Sequence, residues 1–279
     1  MTKVCEIITK ISSSFSELDE VGGVLLSGSL STNTQDENSD IDLYIYSDKE
    51  ISPGKRKSIL DAYSDYMEIN NQYWETEDDG ELRSPQIGIE IIYRNFAWIE
   101  RELNKTLVDY EAKVGYSTCF WSNYLHSEIL YDRDERLKKL QKKVTMTFPF
   151  QLKKNIIAKN YPLLRDSITS YYYQIEKALK RNDYISINHR VTEFLASYFD
   201  VLFAINELPH PGEKKLISIV QKQCNFIPYN MEDNIKRILT NNTHSLLEDI
   251  HTLIDNLDTL LKQQQLLPLG NKFFVTNNK

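Results

Sequence analysis

The spacing of apolar and polar residues changes near the middle of the chain. Before Pro149, short apolar runs rich in β-branched residues alternate with polar turns and a few helical patterns. After Pro149, apolar residues recur three and four positions apart, which is typical of helices. The pattern therefore predicts an α+β chain, with strands and helices together before Pro149 and helices alone after it.

The first two strands are predicted on either side of a polar loop. Apolar residues at helical spacing predict an N-terminal amphipathic helix, which Gly22 and Gly23 end. Residues 24–26 and 41–46 follow as two apolar runs of strand type, and most residues between them are polar. Because functional side chains often lie on loops held by rigid strands, this loop is the first candidate for a functional site.

Further along the first half, the pattern predicts a helix, two strands and an acidic segment. The helix covers residues 55–67 and the first of these strands covers residues 69–74. The acidic residues 75–81 predict a solvated turn or, as the alternative, a segment close enough to a site to attract a cation. Residues 86–94 then form a strand rich in β-branched residues.

The remaining predicted elements are mostly helices. Asn95 is a predicted N-cap, and residues 127–132 form a last strand before a basic helix that ends at Lys143. A structural, hydrogen-bonded role is expected for His126, just before that strand. In the second half, helices are predicted at residues 161–180, 184–208, 213–223 and 231–239, with a Ser245-x-x-Glu248 capping box at the start of the last one.

Composition narrows the possible partners. The chain has 279 residues, with 33 Lys and Arg against 40 Asp and Glu, for a net charge of −7. This balance argues against nucleic acid as the main partner, and it favours a cationic small substrate or simply keeps the protein soluble. The three widely spaced cysteines, Cys5, Cys119 and Cys224, suit free thiols of a reducing compartment. With no signal-peptide core and no apolar run of membrane-spanning length, we expect a cytoplasmic protein without a membrane partner.

The polar loop ends in two acids with strand spacing. Asp40 and Asp42 are two residues apart, so both carboxylates lie on one face of the predicted strand. Two carboxylates on one face repel unless a cation lies between them, and Mg²⁺ is bound well by carboxylate and phosphate oxygens. At the other end of the loop, Gly28 allows close approach of an anion and the hydroxyl of Ser29 can bind a phosphate oxygen. The alternative is a surface hairpin whose turn happens to end in two acids.

Gly28-Ser29, ten intervening residues and then Asp40-Ile41-Asp42 resemble the signature of the polymerase β-type nucleotidyltransferase superfamily. The resemblance implies a nucleotidyltransferase fold for residues 1–145, which is a small mixed β-sheet flanked by helices, and leaves residues 146–279 for an all-α helical bundle domain. It also implies that Asp40 and Asp42 bind Mg²⁺ and that Gly28, Ser29 and Ser39 lie at the nucleotide. The sequence departs from the family in one position, because Asn33 stands where relatives usually have a second glycine. Asn tolerates the left-handed backbone better than most residues, so we expect the loop conformation to be kept.

Glu90 is the single acid in the predicted strand of residues 86–94. Burying a lone carboxylate there is costly without a metal or a cation. The resemblance implies that Glu90 is the third catalytic and metal-binding carboxylate and that it accepts the proton of the attacking hydroxyl. The alternative is that Glu90 lies on an exposed edge or pairs with Arg94.

The second half resembles the helical C-terminal domain of bacterial nucleotidyltransferase-like proteins, a domain of unknown function. The resemblance is carried by His189-Arg190, Glu193-Phe194 and the segments at residues 202–206 and 211–216. It implies that this domain binds the substrate. Lys214 and Lys215 begin a predicted helix there and are candidates to bind the triphosphate, with a solvated turn as the alternative.

The two-domain layout also resembles aminoglycoside and lincosamide nucleotidyltransferases. It implies an enzyme that uses Mg²⁺ to transfer a nucleoside monophosphate, AMP from ATP or another nucleotide, to a hydroxyl of a small molecule. An aminoglycoside-like antibiotic is one acceptor whose positive charge suits an acidic protein. Two alternatives remain: a nucleotidyltransferase that modifies a protein, as antitoxin-like members do, and a non-catalytic regulatory module that binds a nucleotide.

Overall fold

The computed structural model describes residues 2–31, 39–240 and 245–268 of the chain. The expectation about the loop at Asn33 lies outside these residues. The α+β class is confirmed, because the described residues form a mixed sheet with flanking helices and a helical second half. No helix in this part of the chain is both long and apolar enough to cross a membrane.

The chain forms two compact units. The first consists of Met1–Asn104 and Phe120–Met146, and the second consists of Lys105–Cys119 and Thr147–Lys279. The chain therefore leaves the first unit after Asn104, returns to it at Phe120 and leaves it again after Met146.

The first unit contains a six-stranded mixed sheet. Its strands are β1 (Val21–Ser27), β2 (Ile41–Ser47), β3 (Ser64–Asn71), β4 (Glu77–Arg83), β5 (Gln86–Asn95) and β6 (Glu128–Asp132). Their order across the sheet is β3-β4-β5-β2-β1-β6. The central pair, β2 and β5, is parallel, and the other neighbouring strands are antiparallel.

Helices cover both faces of this sheet. The helices before residue 147 are α1 (Thr2–Ser16), α2 (Gly28–Ser31), α3 (Pro53–Leu60), α4 (Phe96–Leu107), α5 (Cys119–His126) and α6 (Arg136–Val144). On one face, Ile11 and Phe15 of α1 join Ile41 and Ile45 of β2 in a buried apolar core. Each such fully buried side chain stabilises the fold by roughly 1.5–3 kcal/mol. On the other face, the ring of Tyr46 packs against other aromatic rings, 5.5 Å from Phe96 and 6.2 Å from Tyr124.

The second unit is helical, as predicted. Its helices after residue 147 are α7 (Phe150–Leu164), α8 (Tyr171–Lys180), α9 (Tyr184–Ile205), α10 (Leu216–Gln223), α11 (Met231–Thr240) and α12 (Leu246–Gln263). Asp200 of α9 is buried and accepts hydrogen bonds from the backbone N of Ser117 at 3.0 Å, from its Oγ at 2.6 Å and from Nδ2 of Asn160 at 3.0 Å. These bonds fix the segment Lys105–Cys119 within the helical unit.

Several predictions for the first half are wrong in their boundaries. α1 ends at Ser16, and Gly22 and Gly23 lie in β1. The helix predicted to reach residue 67 ends at Leu60, because the chain turns and enters β3. For the same reason, the strand predicted for residues 69–74 begins and ends earlier.

The acidic segment after β3 is a strand and not a solvated turn. β4 pairs with β3 on one side and with β5 on the other, so its backbone hydrogen-bonding groups are satisfied within the sheet. Asp78 of β4 is fully buried and pairs with Arg56 at 3.4 Å, while the hydroxyl of Tyr93 donates to it at 2.6 Å. These partners offset part of the cost of burying the charge, and burial still raises the pKa of Asp78.

Three predictions for the second half are also wrong. The helix predicted for residues 161–180 is two helices, because the chain breaks after Leu164 and α8 starts at Tyr171. The capping box is not formed, since the side chain of Ser245 makes no capping hydrogen bond. Elsewhere α10 begins three residues later than predicted, because Lys215 has a left-handed backbone with φ of 56°.

The prediction for Asn95 is confirmed. Its Oδ1 accepts hydrogen bonds from the backbone N of Ala97 at 2.8 Å and of Trp98 at 3.3 Å, at the start of α4. The three cysteines are free, as expected.

Candidate active site

The register of the sheet places four acids in one row. Asp42 of β2 is paired with Glu90 of β5, Glu90 is paired with Asp79 of β4, and Asp79 is paired with Glu68 of β3. Ser27 of β1 is opposite Asp42 on the remaining side. Because paired residues project from the same face of a sheet, the row presents its carboxylates to one side.

Gly28 lies directly against the carboxylate of Asp42. It follows β1 with a positive φ of 65°, and a Cβ at this position would overlap Oδ2 of Asp42. Both the backbone conformation and the close approach therefore require glycine. Ser29 follows in α2, so the Gly28-Ser29 turn and Asp42 are adjacent.

Asp40 lies one step earlier along the same face. Its carboxylate occupies the space where a Cβ of Gly88 would be, and Gly88 is two residues before Glu90 on β5. Ser39 precedes Asp40 and is half-buried. The candidate carboxylates Asp40, Asp42 and Glu90 therefore share one face of two neighbouring parallel strands.

Glu90 also has two acidic neighbours from the segment of residues 75–81, which was expected near a site only as the alternative to a solvated turn. One carboxylate oxygen from each of Glu77, Asp79 and Glu90 lies within 4.8 Å of the others. Three carboxylates this close can bind a hard divalent cation. Asp40 and Asp42 are outside this group of three. The missed signal is the alternation of acids at positions 77, 79 and 81, which has the period of a strand.

The Glu77 side chain is only 4 % exposed, although it lies among other acids. Burial raises the pKa of Glu77, the nearby charges of Asp79 and Glu75 raise it further, and a hydrogen bond with Glu90 acts in the opposite direction. Negative charge is therefore concentrated beside Glu90, and a cation bound there would be stabilised by it.

Neither alternative placement of Glu90 is found. β5 lies between β4 and β2, so Glu90 is not on an exposed edge. The guanidinium of Arg94 donates two hydrogen bonds to Glu75, at 2.9 and 2.6 Å, and stacks 4.1 Å over the ring of Tyr44. Arg94 is therefore engaged by Glu75 and Tyr44.

The two lysines predicted to bind the triphosphate lie in the helical unit. Lys214 and Lys215 are exposed, and Lys215 is the N-cap residue of α10. Their role at a nucleotide stays a prediction. His126 forms the hydrogen bond expected of a structural residue, because its Nδ1 lies 2.8 Å from the carbonyl oxygen of Ser122.

Comparison with known proteins relates both halves of the chain to described domains. Residues 9–85 match the family described as Polymerase beta, Nucleotidyltransferase. Residues 121–216 match a domain of unknown function, DUF4037. None of the curated proteins is significantly similar to the chain.

Three solved structures resemble the chain at low identity. A nucleotidyltransferase-like protein from Exiguobacterium sibiricum is 13% identical, with a TM-score of 0.44 over 94% of this chain and 75% of that one. A STING-associated CdnE c-di-GMP synthase from Capnocytophaga granulosa is 16% identical, with a TM-score of 0.28 over 95% and 81%. The Thermotoga maritima CCA-adding enzyme, complexed with tRNA, is 10% identical, with a TM-score of 0.33 over 95% and 82%.

The family match and the geometry concern the same residues. The matched segment includes the Gly28-Ser29 turn and the acids Asp40 and Asp42, and the sheet places Glu90 beside Asp42. Through this segment, residues 9–85 resemble polymerase β-type nucleotidyltransferases.

Proposed function

We propose that the chain transfers a nucleoside monophosphate, AMP from ATP, to a hydroxyl group of a small cationic molecule, with Mg²⁺ as cofactor. The observation that carries the proposal is the pairing of Asp42 with Glu90 across β2 and β5, with Gly28 in contact with the Asp42 carboxylate. A glycine turn in contact with a carboxylate supports a site for a phosphate chain and its metal.

The residues fit the metal. Carboxylate oxygens are the ligands that Mg²⁺ prefers, and Gly28 and Gly88 leave room for the carboxylates of Asp42 and Asp40 where a Cβ would displace them. Asp40, Asp42 and Glu90 would hold the ion. When bound, Mg²⁺ stabilises negative charge at the α-phosphate and on the leaving pyrophosphate.

The chain's own groups position the nucleotide. The backbone N–H groups of the turn and the hydroxyl of Ser29 bind the terminal phosphates, and the hydroxyl of Ser39 supports the same phosphates. This fixes the α-phosphorus for in-line attack. The acceptor oxygen forms a bond to the α-phosphorus, the bond from the α-phosphorus to the bridging oxygen of pyrophosphate breaks, and pyrophosphate leaves.

Glu90 acts as general base in this proposal. Its carboxylate accepts the proton of the acceptor hydroxyl as the new phosphoester bond forms. One carboxylate oxygen from each of Glu77 and Asp79 lies within 4.8 Å of an oxygen of Glu90.

The acidic row also supports a cationic acceptor. Asp79 and the exposed Glu68 continue the row beyond Glu90, so negative charge extends away from Asp42 along the sheet. A protonated amine of the acceptor can bind there while its hydroxyl lies near Glu90. Aminoglycoside-like antibiotics carry both groups and are the first acceptors to test.

The test is pyrophosphate release from ATP and Mg²⁺ with a panel of cationic and neutral hydroxylated acceptors. We expect turnover with cationic acceptors and its loss in Asp40→Asn and Asp42→Asn, with the fold retained; Asp61→Asn, at an exposed acid after α3, is the control. Turnover that survives both changes would refute the assignment. AMP found on a co-purified polypeptide would instead indicate protein modification, and nucleotide binding without turnover would indicate a regulatory module.

A further inference from the structure

Asn123 of α5 takes part in a closed ring of hydrogen bonds at the end of β1. Its Nδ2 donates to Oγ of Ser27 at 2.8 Å. Oγ of Ser127 donates to the backbone oxygen of Asn123 at 2.7 Å and lies 2.9 Å from Oγ of Ser27. The hydroxyl proton of Ser127 is used in the bond to the Asn123 carbonyl, so Ser27 must donate to Ser127. Each of the two hydroxyls therefore donates one hydrogen bond and accepts one.

The same amide group reaches a second strand. Nδ2 of Asn123 lies 3.4 Å from the hydroxyl of Tyr44, which is buried in β2. The side chain of Asn123 thus contacts Ser27, which is 96 positions earlier in the chain, and Tyr44, which is 79 positions earlier. Ser27 and Tyr44 are both buried, so loss of the amide would leave two buried hydroxyl groups without this donor.

Ser27 and Tyr44 are both next to the candidate active site without belonging to it. Ser27 is the residue before Gly28, and it is opposite Asp42 in the pairing of β1 with β2. Tyr44 is two residues beyond Asp42 and projects from the same face of β2. Asn123 therefore connects to the chain on both sides of the contact between Gly28 and Asp42.

We propose that Asn123 is a positioning residue that sets the distance between the Gly28-Ser29 turn and the Asp42 carboxylate. The inference rests on the proposed function, because this distance matters if the turn binds phosphates and Asp42 binds their metal. Gly28 has no space left beside Asp42, so a shift of β1 changes the geometry of both. A displacement of about 1 Å at a catalytic group can cost about 10²-fold in rate.

The first measurement is the affinity of the full chain for a non-hydrolysable ATP analogue with Mn²⁺, by calorimetry. We expect Asn123→Ala to weaken binding by about tenfold or more, about 1.4 kcal/mol, and Asn123→Gln, which keeps the donor, to recover part of it. His126→Gln is the matched control on α5, because His126 is exposed and its bond stays within the helix. Ser27→Ala combined with Asn123→Ala should be no worse than the stronger single change, since both break the same ring.

The second measurement is hydrogen–deuterium exchange of the backbone around Gly28, which needs no nucleotide. Asn123→Ala should speed exchange at Gly28 and Ser29 relative to β5, and His126→Gln should not. If Asn123→Ala does not fold, Ser127→Ala opens the same ring at another bond and is used in its place.

The outcomes are distinguishable. If the wild-type chain binds no nucleotide, the proposed function fails while the exchange data still decide the inference. A folded Asn123→Ala variant with wild-type exchange at Gly28 overturns the inference. A variant with a lower unfolding temperature but unchanged nucleotide affinity and exchange shows a purely structural role and also overturns it.

Discussion

A substitution at Gly88 should displace one candidate metal ligand, the carboxylate of Asp40. A Cβ added at this position would overlap Oδ1 of Asp40 and lie 2.9 Å from its Cγ. Asp40 is exposed, so its carboxylate can rotate away instead of forcing the strand to move. Gly88→Ala should therefore move the carboxylate of Asp40 while the sheet stays intact. Gly28→Ala is less informative, because the φ of 65° at that residue would strain the backbone as well.

Gly88→Ala should change the free energy of unfolding little and turnover strongly. Replacing glycine by alanine within a strand favours folding by roughly 0.5–1 kcal/mol, and pushing Asp40 off its rotamer costs about 0.5–1.5 kcal/mol. These contributions nearly cancel, so the free energy of unfolding should change by less than about 1 kcal/mol. A displaced carboxylate, in contrast, should lower turnover by about 10²-fold, which corresponds to about 2.7 kcal/mol.

The assay measures Mn²⁺ affinity in the presence of a non-hydrolysable ATP analogue, together with the thermal unfolding midpoint. The matched control is Gly54→Ala in α3, where an added Cβ meets nothing within 4 Å. We expect Gly54→Ala to keep wild-type affinity and Gly88→Ala to lose most of it at nearly unchanged stability. Full affinity and turnover in Gly88→Ala would refute the placement of Asp40 at the metal.

Three further predictions concern buried charges. Burial raises the pKa of Asp200 to about 6 from 3.8, so the folded state binds the carboxyl proton more tightly than the unfolded state does. The free energy of unfolding should therefore fall by roughly 3 kcal/mol as the pH rises from about 4 to 6. Urea unfolding at a series of pH values should show this fall, and Asp200→Asn should remove it. The pKa of Glu77 is raised, which means that its charged form destabilises the folded state. Glu77→Gln should therefore increase the thermal unfolding midpoint at pH 7, and this gain should vanish below pH 4.5. A lower midpoint at pH 7 would contradict the repulsion between Glu77 and its acidic neighbours. Arg56→Met leaves the carboxylate of Asp78 buried without its ion pair and should lower the free energy of unfolding in denaturant by about 3–5 kcal/mol. The control Lys57→Met, at an exposed ion pair, should lower it by less than about 1 kcal/mol. Equal losses would show that the buried pair stabilises the fold no more than the exposed pair does.

The central strands could be predicted from the sequence because their patterns are local. β2 and β5 are rich in apolar and β-branched residues, since both lie inside the sheet and are covered on its two faces. The turn at Gly28 and the acids Asp40 and Asp42 were found for a similar reason, because they are close together in the chain. The adjacency of Glu90 to Asp42 needed the family resemblance as well.

β3 and β4 could not be predicted with their observed bounds, because their residues lack the apolar pattern of the central strands. β3 has few apolar residues, and Ile59, Leu60, Tyr63 and Met67 happen to have helical spacing across a turn. β4 is charged on both faces, and its buried acid is compensated by Arg56, which lies 22 positions earlier. Long-range partners of this kind leave no periodic signal. The acids Glu77, Asp79 and Glu81 do alternate with the period of a strand, but a run without apolar residues is also typical of a solvated turn.

The path of the chain between the two units has a consequence for how the protein can be divided. Because Lys105–Cys119 belongs with the helices although it is encoded inside the sheet-forming half, no single cleavage point separates two complete folding modules. A fragment starting at Thr147 would lack Ser117, and the buried Asp200 would lose two of its three hydrogen-bond donors. Recombination or truncation at a domain border near residue 146 should therefore yield an incomplete helical module, so the helical part cannot be exchanged as a simple C-terminal cassette.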